Sequence, residues 1–194
     1  MHIIRTLYEW TISLAAHPRA LWALAFIAFI EASVFPIPPD VLMIAMIVAT
    51  PSKAFRIAAV ATVASVLGGL LGYAIGALAY EQIGLPILES LGKVDSMEAF
   101  SERFNSFEFW PVLIAGLTPF PYKVITIMSG WTGLPLATFI ITSIVARAGR
   151  FFLVAWLLHR YGAQIRDFIE RRLGLMTILF VVLLAGGFYA VKFL

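Results

Sequence analysis

Cysteine is absent from this chain, which excludes disulfides, thiolate metal sites and thiol nucleophiles. Charge is scarce as well. Only 13% of the 194 residues are Asp, Glu, Lys or Arg, about half the share usual in soluble domains. Histidine is limited to His2, His17 and His159, far apart in sequence, and no serine stands beside a base in a catalytic pattern. No metal-ligand spacing occurs either, so neither an enzyme nor a cofactor or metal is expected. What fills the chain is apolar. With 61% hydrophobic residues and a mean hydropathy of +0.94, it reads as an all-α integral membrane protein. The net charge of +3 suits basic cytoplasmic loops and carries no suggestion of nucleic acid.

The organising stretch is Glu31-Ala-Ser-Val-Phe-Pro36-Ile-Pro38-Pro39-Asp40, set between two apolar runs that would otherwise form one long helix. Proline removes a backbone donor and clashes with the preceding turn, so the helix must break here. Inside hydrocarbon, a broken backbone survives only where protein or a wet cavity covers it. Ionisable groups at that depth usually mark a pathway. Neither flanking run reaches the ~20 residues needed for a span, so residues 20–50 are expected to form a re-entrant hairpin.

Residues 1–19 are read as an interfacial helix with Ile3, Ile4, Leu7, Trp10, Ile12 and Leu14 on one broad face, and not as a cleaved signal. A spanning helix is predicted at 54–80, carrying a small-residue stripe at Ala64, Gly68, Gly72 and Gly76 that admits a close helix neighbour within the chain or in a second copy. The acidic section 81–108 is read as external. It holds a surface helix from Ser96 to about Asn105, with Met97, Phe100, Phe104 and Phe107 at helical spacing. A second hairpin at 109–134 and a span at 135–160 complete a core of 20–162. Residues 163–194 supply a basic linker and a C-terminal spanning helix. Basic segments near Arg5, Arg19, Lys53, Arg56 and Arg166 place the N-terminus and the 160–172 linker in the cytoplasm.

The two broken stretches resemble each other. Pro36-Ile-Pro38-Pro39-Asp40 is answered 83 residues later by Pro119-Phe-Pro121-Tyr122-Lys123. Because the hairpins enter from opposite sides, the repeat is inverted, a recurring plan of secondary transporters. Pro36, Pro38, Pro119 and Pro121 are read as structural. The first hairpin offers Glu31 and Asp40 as proton-handling carboxylates. Lys123, Arg147 and Arg150, with Tyr122 beside them, are candidate substrate-binding residues; the arginines lie three apart, on one helix face. Arginine's planar fork suits phosphate. The alternative is internal pairing, Asp40 with Lys123 and Glu31 with an arginine, which would only lock the hairpins together.

At these residues the chain resembles the DedA family, also called VTT or SNARE-associated-type membrane proteins, and most of all its YqaA-like branch. The carriers are Glu31, Pro36, Pro38 and Asp40, the helix with Gly68, Gly72, Tyr73 and Gly76, and the second proline hairpin leading to Gly130. The resemblance covers roughly residues 21–162. It implies a bacterial inner-membrane protein with two facing re-entrant hairpins. It also implies a link to translocation of polyprenyl phosphate or phospholipid and to proton-dependent envelope homeostasis. One departure stands out. Where the family pattern reads Arg-Phe-x-Pro-x-x-Arg, this chain has Gly116-Leu-Thr118-Pro119-Phe-Pro121-Tyr122-Lys123, and Arg147 and Arg150 are candidates for the missing charge.

The expected function is therefore a flippase-like transporter of an anionic lipid phosphate, coupled to protons, in the bacterial inner membrane. Its partners would be membrane lipids and protons, with a homo-oligomer left open. The alternatives are a proton or cation antiporter, and a membrane scaffold that transports nothing.

Overall fold

The structure, a computed structural model, describes residues 19–34, 38–118 and 121–162. The expected N-terminal interfacial helix (but for Arg19), the 163–194 linker and final span, and Pro36 and Pro119 lie outside the described residues. Those described are helix and turn throughout, with no strand among them.

The proline break divides the first apolar stretch into α1 (Ala20–Ser33) and α2 (Pro39–Ala49). At ~1.5 Å per residue, neither spans the ~30 Å of a bilayer core. The end of α1 is tightened by Ser33, whose hydroxyl donates back to the Phe29 carbonyl at 3.0 Å. Proline at the first position of α2 costs no hydrogen bond, and Asp40 in that first turn complements the helix dipole.

A short 3₁₀ turn, Pro51–Lys53, leads into α3 (Ala54–Ala79). Helix continues through a π-helical turn, Tyr80–Gly84, into α4 (Leu85–Ser90). The helical run from Pro51 to Ser90 is 40 residues long and holds an 18-residue stretch with a mean hydropathy of 1.9. That is about 60 Å, twice a bilayer core, so helix extends well past the expected end at residue 80. It stops at Gly92, whose φ of +62° lets the Gly92 and Lys93 amides turn back onto the Glu89 and Leu88 carbonyls.

Next comes α5 (Val94–Ser106), the amphipathic helix expected here, beginning two residues earlier than its sequence signal. The second broken stretch gives α6 (Trp110–Leu117) and α7 (Tyr122–Trp131). A turn at Gly133, of the same kind as that at Gly92, precedes α8 (Leu136–Gly162), 27 residues holding an 18-residue stretch with a mean hydropathy of 1.6. Asn105 of α5 donates to the Thr132 carbonyl at 2.8 Å, pinning the polar section to that turn.

The glycine stripe of α3 faces two helices at once. A Cβ on Gly68 would meet the Phe29 carbonyl of α1, and one on Gly76 would meet the Ile127 carbonyl of α7. Gly72 lies between Thr126 and the Ala32 carbonyl. The stripe thus brings both broken stretches onto one helix within a single chain.

Two apolar clusters result. One joins Leu24, Met43, Ile47, Ile57 and Phe151; the other joins Ala32, Val112, Tyr122, Leu134 and Phe139. Helix α8 contributes to both. Outside them Trp22, Phe26, Val63, Ile141, Val145 and Trp156 stand exposed. Apolar exposure on this scale is the surface of a membrane protein, covered by lipid rather than water.

Candidate functional site

The charged residues gather where one cluster gives way to the other. Glu31 lies near the end of α1, and its carboxylate accepts a hydrogen bond from Arg147 Nη2 at 2.8 Å. The Arg147 guanidinium lies over the rings of both Tyr122 and Phe151, each centroid 4.7 Å away. One ring belongs to each apolar cluster. The Arg147 side chain is only 2% exposed. Tyr122 is wholly buried and its hydroxyl donates to Ser143 Oγ at 2.6 Å. A charge so deep persists because its ion pair and two π faces replace water.

One turn further along α8, Arg150 makes a second and more open pair. Its Nη2 donates to Asp40 at 2.7 Å and its Nη1 to the Thr118 carbonyl at 2.7 Å. About a fifth of each side chain remains exposed. Lys123 takes a third arrangement, its ammonium donating to the Val34 carbonyl at 3.2 Å. Lysine in the first turn of α7 opposes that helix's dipole, and reaching the carbonyl end of α1 offsets this. The two breaks also end alike. Pro38 and Pro121 are both extended, with φ near −60°, and a helix begins at the next residue.

The internal pairing expected from sequence is half right. Glu31 pairs with an arginine, but Asp40 pairs with Arg150 and not with Lys123. The reason is reach and register. Arg147 and Arg150 project three residues apart from α8, which runs past both breaks, and the longer guanidinium side chain meets Asp40 while Lys123 bonds backbone. Tyr122 lies under Arg147, out of contact with any open surface. Three residues went unremarked in the sequence: Ser143, Phe151 and Thr126. The first two belong to the repeat Phe139, Ser143, Arg147, Phe151 at every fourth position, a legible stripe. Thr126, which donates to the Ala32 carbonyl at 3.0 Å, carries no such signal.

The departure at Gly116 also acquires a physical setting. A Cβ there would lie 2.5 Å from the Ala146 side chain, so α8 abuts the second break at that point. Arg150, one turn on, bonds the Thr118 carbonyl. Among the described residues, no group of three or more His, Asp or Glu is arranged to hold a metal ion. Two surface hollows lie apart from these ion pairs and from Lys123. An apolar one of about 380 Å³ is lined by Phe109, Leu113 and Ile141, and one of about 580 Å³ is lined by Tyr80, Glu98, Glu102 and Trp131.

The family model of the VTT domain matches residues 37–160, from within the first break through the second and the spans after them. The chain belongs to the DedA family of VTT-domain proteins. An uncharacterized protein of Haemophilus influenzae is 38% identical over 177 residues, covering 88% of this chain and 90% of its own. One from Histophilus somni is 37% identical over 174 residues, covering 88% and 91% respectively. No solved structure matches. Membership of the DedA family suggests a membrane-transporter-like role for this protein.

Proposed function

We propose that this DedA protein carries an anionic lipid phosphate, a polyprenyl phosphate or phospholipid, across the bacterial inner membrane, coupled to protons, supporting envelope homeostasis. The observation that carries the reading is the pair of ion bridges, Glu31–Arg147 and Asp40–Arg150, joining the first break to a helix that packs beside the second. Ionised groups are expensive at membrane depth and persist there chiefly along pathways. In this reading each broken pair, α1–α2 and α6–α7, is a re-entrant hairpin entering from its own side, the first cytoplasmic and the second external. The positive charge of Lys123, Arg147 and Arg150 attracts the phosphate, and Glu31 and Asp40 exchange protons as the pairs open and close. Residues 20–162 form the transport core.

The test is movement of labelled polyprenyl phosphate in proteoliposomes, with and without a pH gradient, for wild type, Glu31→Gln and Arg150→Ala. Gradient-accelerated movement in wild type, lost in both folded variants, supports the proposal. Movement indifferent to the gradient removes the proton from it. One observation favours a second reading, a scaffold whose charges only lock the fold: both arginines are already paired with carboxylates. In that case wild type moves no lipid, and each variant impairs the protein only as far as it destabilises it. An antiporter would instead give an ion current with no lipid movement.

A further inference from the structure

We propose that the larger surface hollow, enclosed by the π-helical turn, α5 and the end of α7, binds a small organic ammonium ion. The inference goes beyond the lipid-phosphate reading and does not depend on it, since none of the paired charges lines this hollow.

The walls are aromatic before they are acidic. Tyr73, Tyr80 and Trp131 all line the hollow, whose volume of about 580 Å³ falls in the ~300–1,000 Å³ range of small-molecule sites. Tyr80 and Trp131 stand edge to face, their centroids 5.5 Å apart and their planes at 65°. Three contacts hold this corner together. A Cβ on Gly84 would lie 2.6 Å from the Trp131 indole, so that ring rests directly on the π-helical turn. The Tyr73 hydroxyl donates to the Leu134 carbonyl at 2.7 Å. Asn105 donates to the Thr132 carbonyl at 2.8 Å, which ties α5 to the same corner. Rings fixed in this way offer π surface to a cation with little left to order on binding. Turns of π-helix recur at functional sites. This one delivers Tyr80 and Glu81 to the hollow and Gly84 to the indole.

Charge decides the class of ligand. Glu81, Glu98 and Glu102 line the hollow, and among the described residues no Lys, Arg or His does. Nor does any of the three form an ion pair among the described residues. Glu98 and Glu102 lie one turn apart on α5, on the face that also carries Asn105. The field of such a hollow repels anions and draws cations in. A metal ion is a poor fit, because among the described residues no three carboxylates are arranged to hold one. An ammonium ion dressed in alkyl groups suits both walls at once. Its diffuse charge meets the rings as a cation–π partner, and the carboxylates balance that charge without having to converge on a point.

The experiment is equilibrium binding of tritiated choline and tritiated tetraethylammonium to the full-length protein in a maltoside detergent, which itself carries no cation. Wild type is expected to bind at least one of them saturably. Neohexyl alcohol, the neutral carbon isostere of choline, should compete about tenfold more weakly than choline or worse. Trp131→Leu should weaken binding about three- to thirtyfold. Glu81→Gln, Glu98→Gln and Glu102→Gln should each weaken it about two- to fivefold, as exposed charges do. Glu89→Gln, at an acid outside the hollow, should change nothing. No saturable binding of either ion overturns the inference, and so does equal competition by the alcohol. Calcium that displaces choline at lower concentration than choline does would mark a metal site and overturn it too. Should Trp131→Leu not fold, the exposed glutamate variants decide alone: affinities equal to that of Glu89→Gln overturn the proposal.

Discussion

Arg147 is the residue on which the interior depends. It brings a full charge into a packed core, where Glu31 answers it at 2.8 Å and the rings of Tyr122 and Phe151 each lie 4.7 Å from it. Breaking such a pair from one side leaves an orphaned charge, so Arg147→Met is expected to lose about 3–5 kcal/mol of stability. Adding Glu31→Gln should restore part of that loss, because the remaining partner is then neutral. Unfolding in mild detergent, followed by helical circular dichroism, measures both; equal destabilisation in single and double variants would contradict the pairing. At this scale the sequence was half legible. Depth and charge marked Glu31, Asp40, Arg147 and Arg150 as belonging together, and an arginine partner for Glu31 follows from the cost of burial. Which arginine meets which carboxylate depends on the rotation of α8 against the breaks, and a chain of letters holds no information on that angle. The same holds for Tyr122, whose place under Arg147 is a fact of packing.

Helix α3 is the element that organises the others, and its glycines make a sharp test. A Cβ at Gly68 runs into the Phe29 backbone and one at Gly76 into the Ile127 backbone, and backbone gives way poorly. Gly68→Ala and Gly76→Ala should each cost about 1–3 kcal/mol through overpacking. Gly69, the neighbouring position, faces only side-chain atoms of Phe139, Thr126 and Tyr122 at 3.5 Å. Gly69→Ala should be neutral or stabilise by up to ~1 kcal/mol, as alanine favours helix. The same unfolding measurement separates them, and a Gly68→Ala variant as stable as Gly69→Ala would mean that α1 does not approach so closely. The four-residue spacing advertised this stripe. Its two-sided use, with α1 and α7 on one helix, was not advertised. Nor was the continuation of helix through Tyr80–Gly84, where a polar Glu81-Gln82 pair reads as an end but a π-helical turn carries the backbone on.

For the whole molecule, the prolines, the missing charge and the long apolar runs made the membrane class and the broken helices readable; the VTT-domain match over residues 37–160 agrees with the first, and the separate helices either side of each break with the second. Sidedness is a proposal that the cysteine-free background makes simple to test. Ser96→Cys in α5 should react with an impermeant maleimide on intact cells after outer-membrane permeabilisation. Ser52→Cys, in the turn after α2, should react only once the inner membrane is opened; the reverse pattern would invert the assigned orientation. The central claim is that the phosphate is what the protein recognises and moves. The most direct measurement compares labelled polyprenyl phosphate with the matching polyprenol in vesicles with and without the protein. The account predicts that the phosphate crosses faster with protein present and that the alcohol gains nothing. Equal acceleration of both lipids, or of neither, would contradict it.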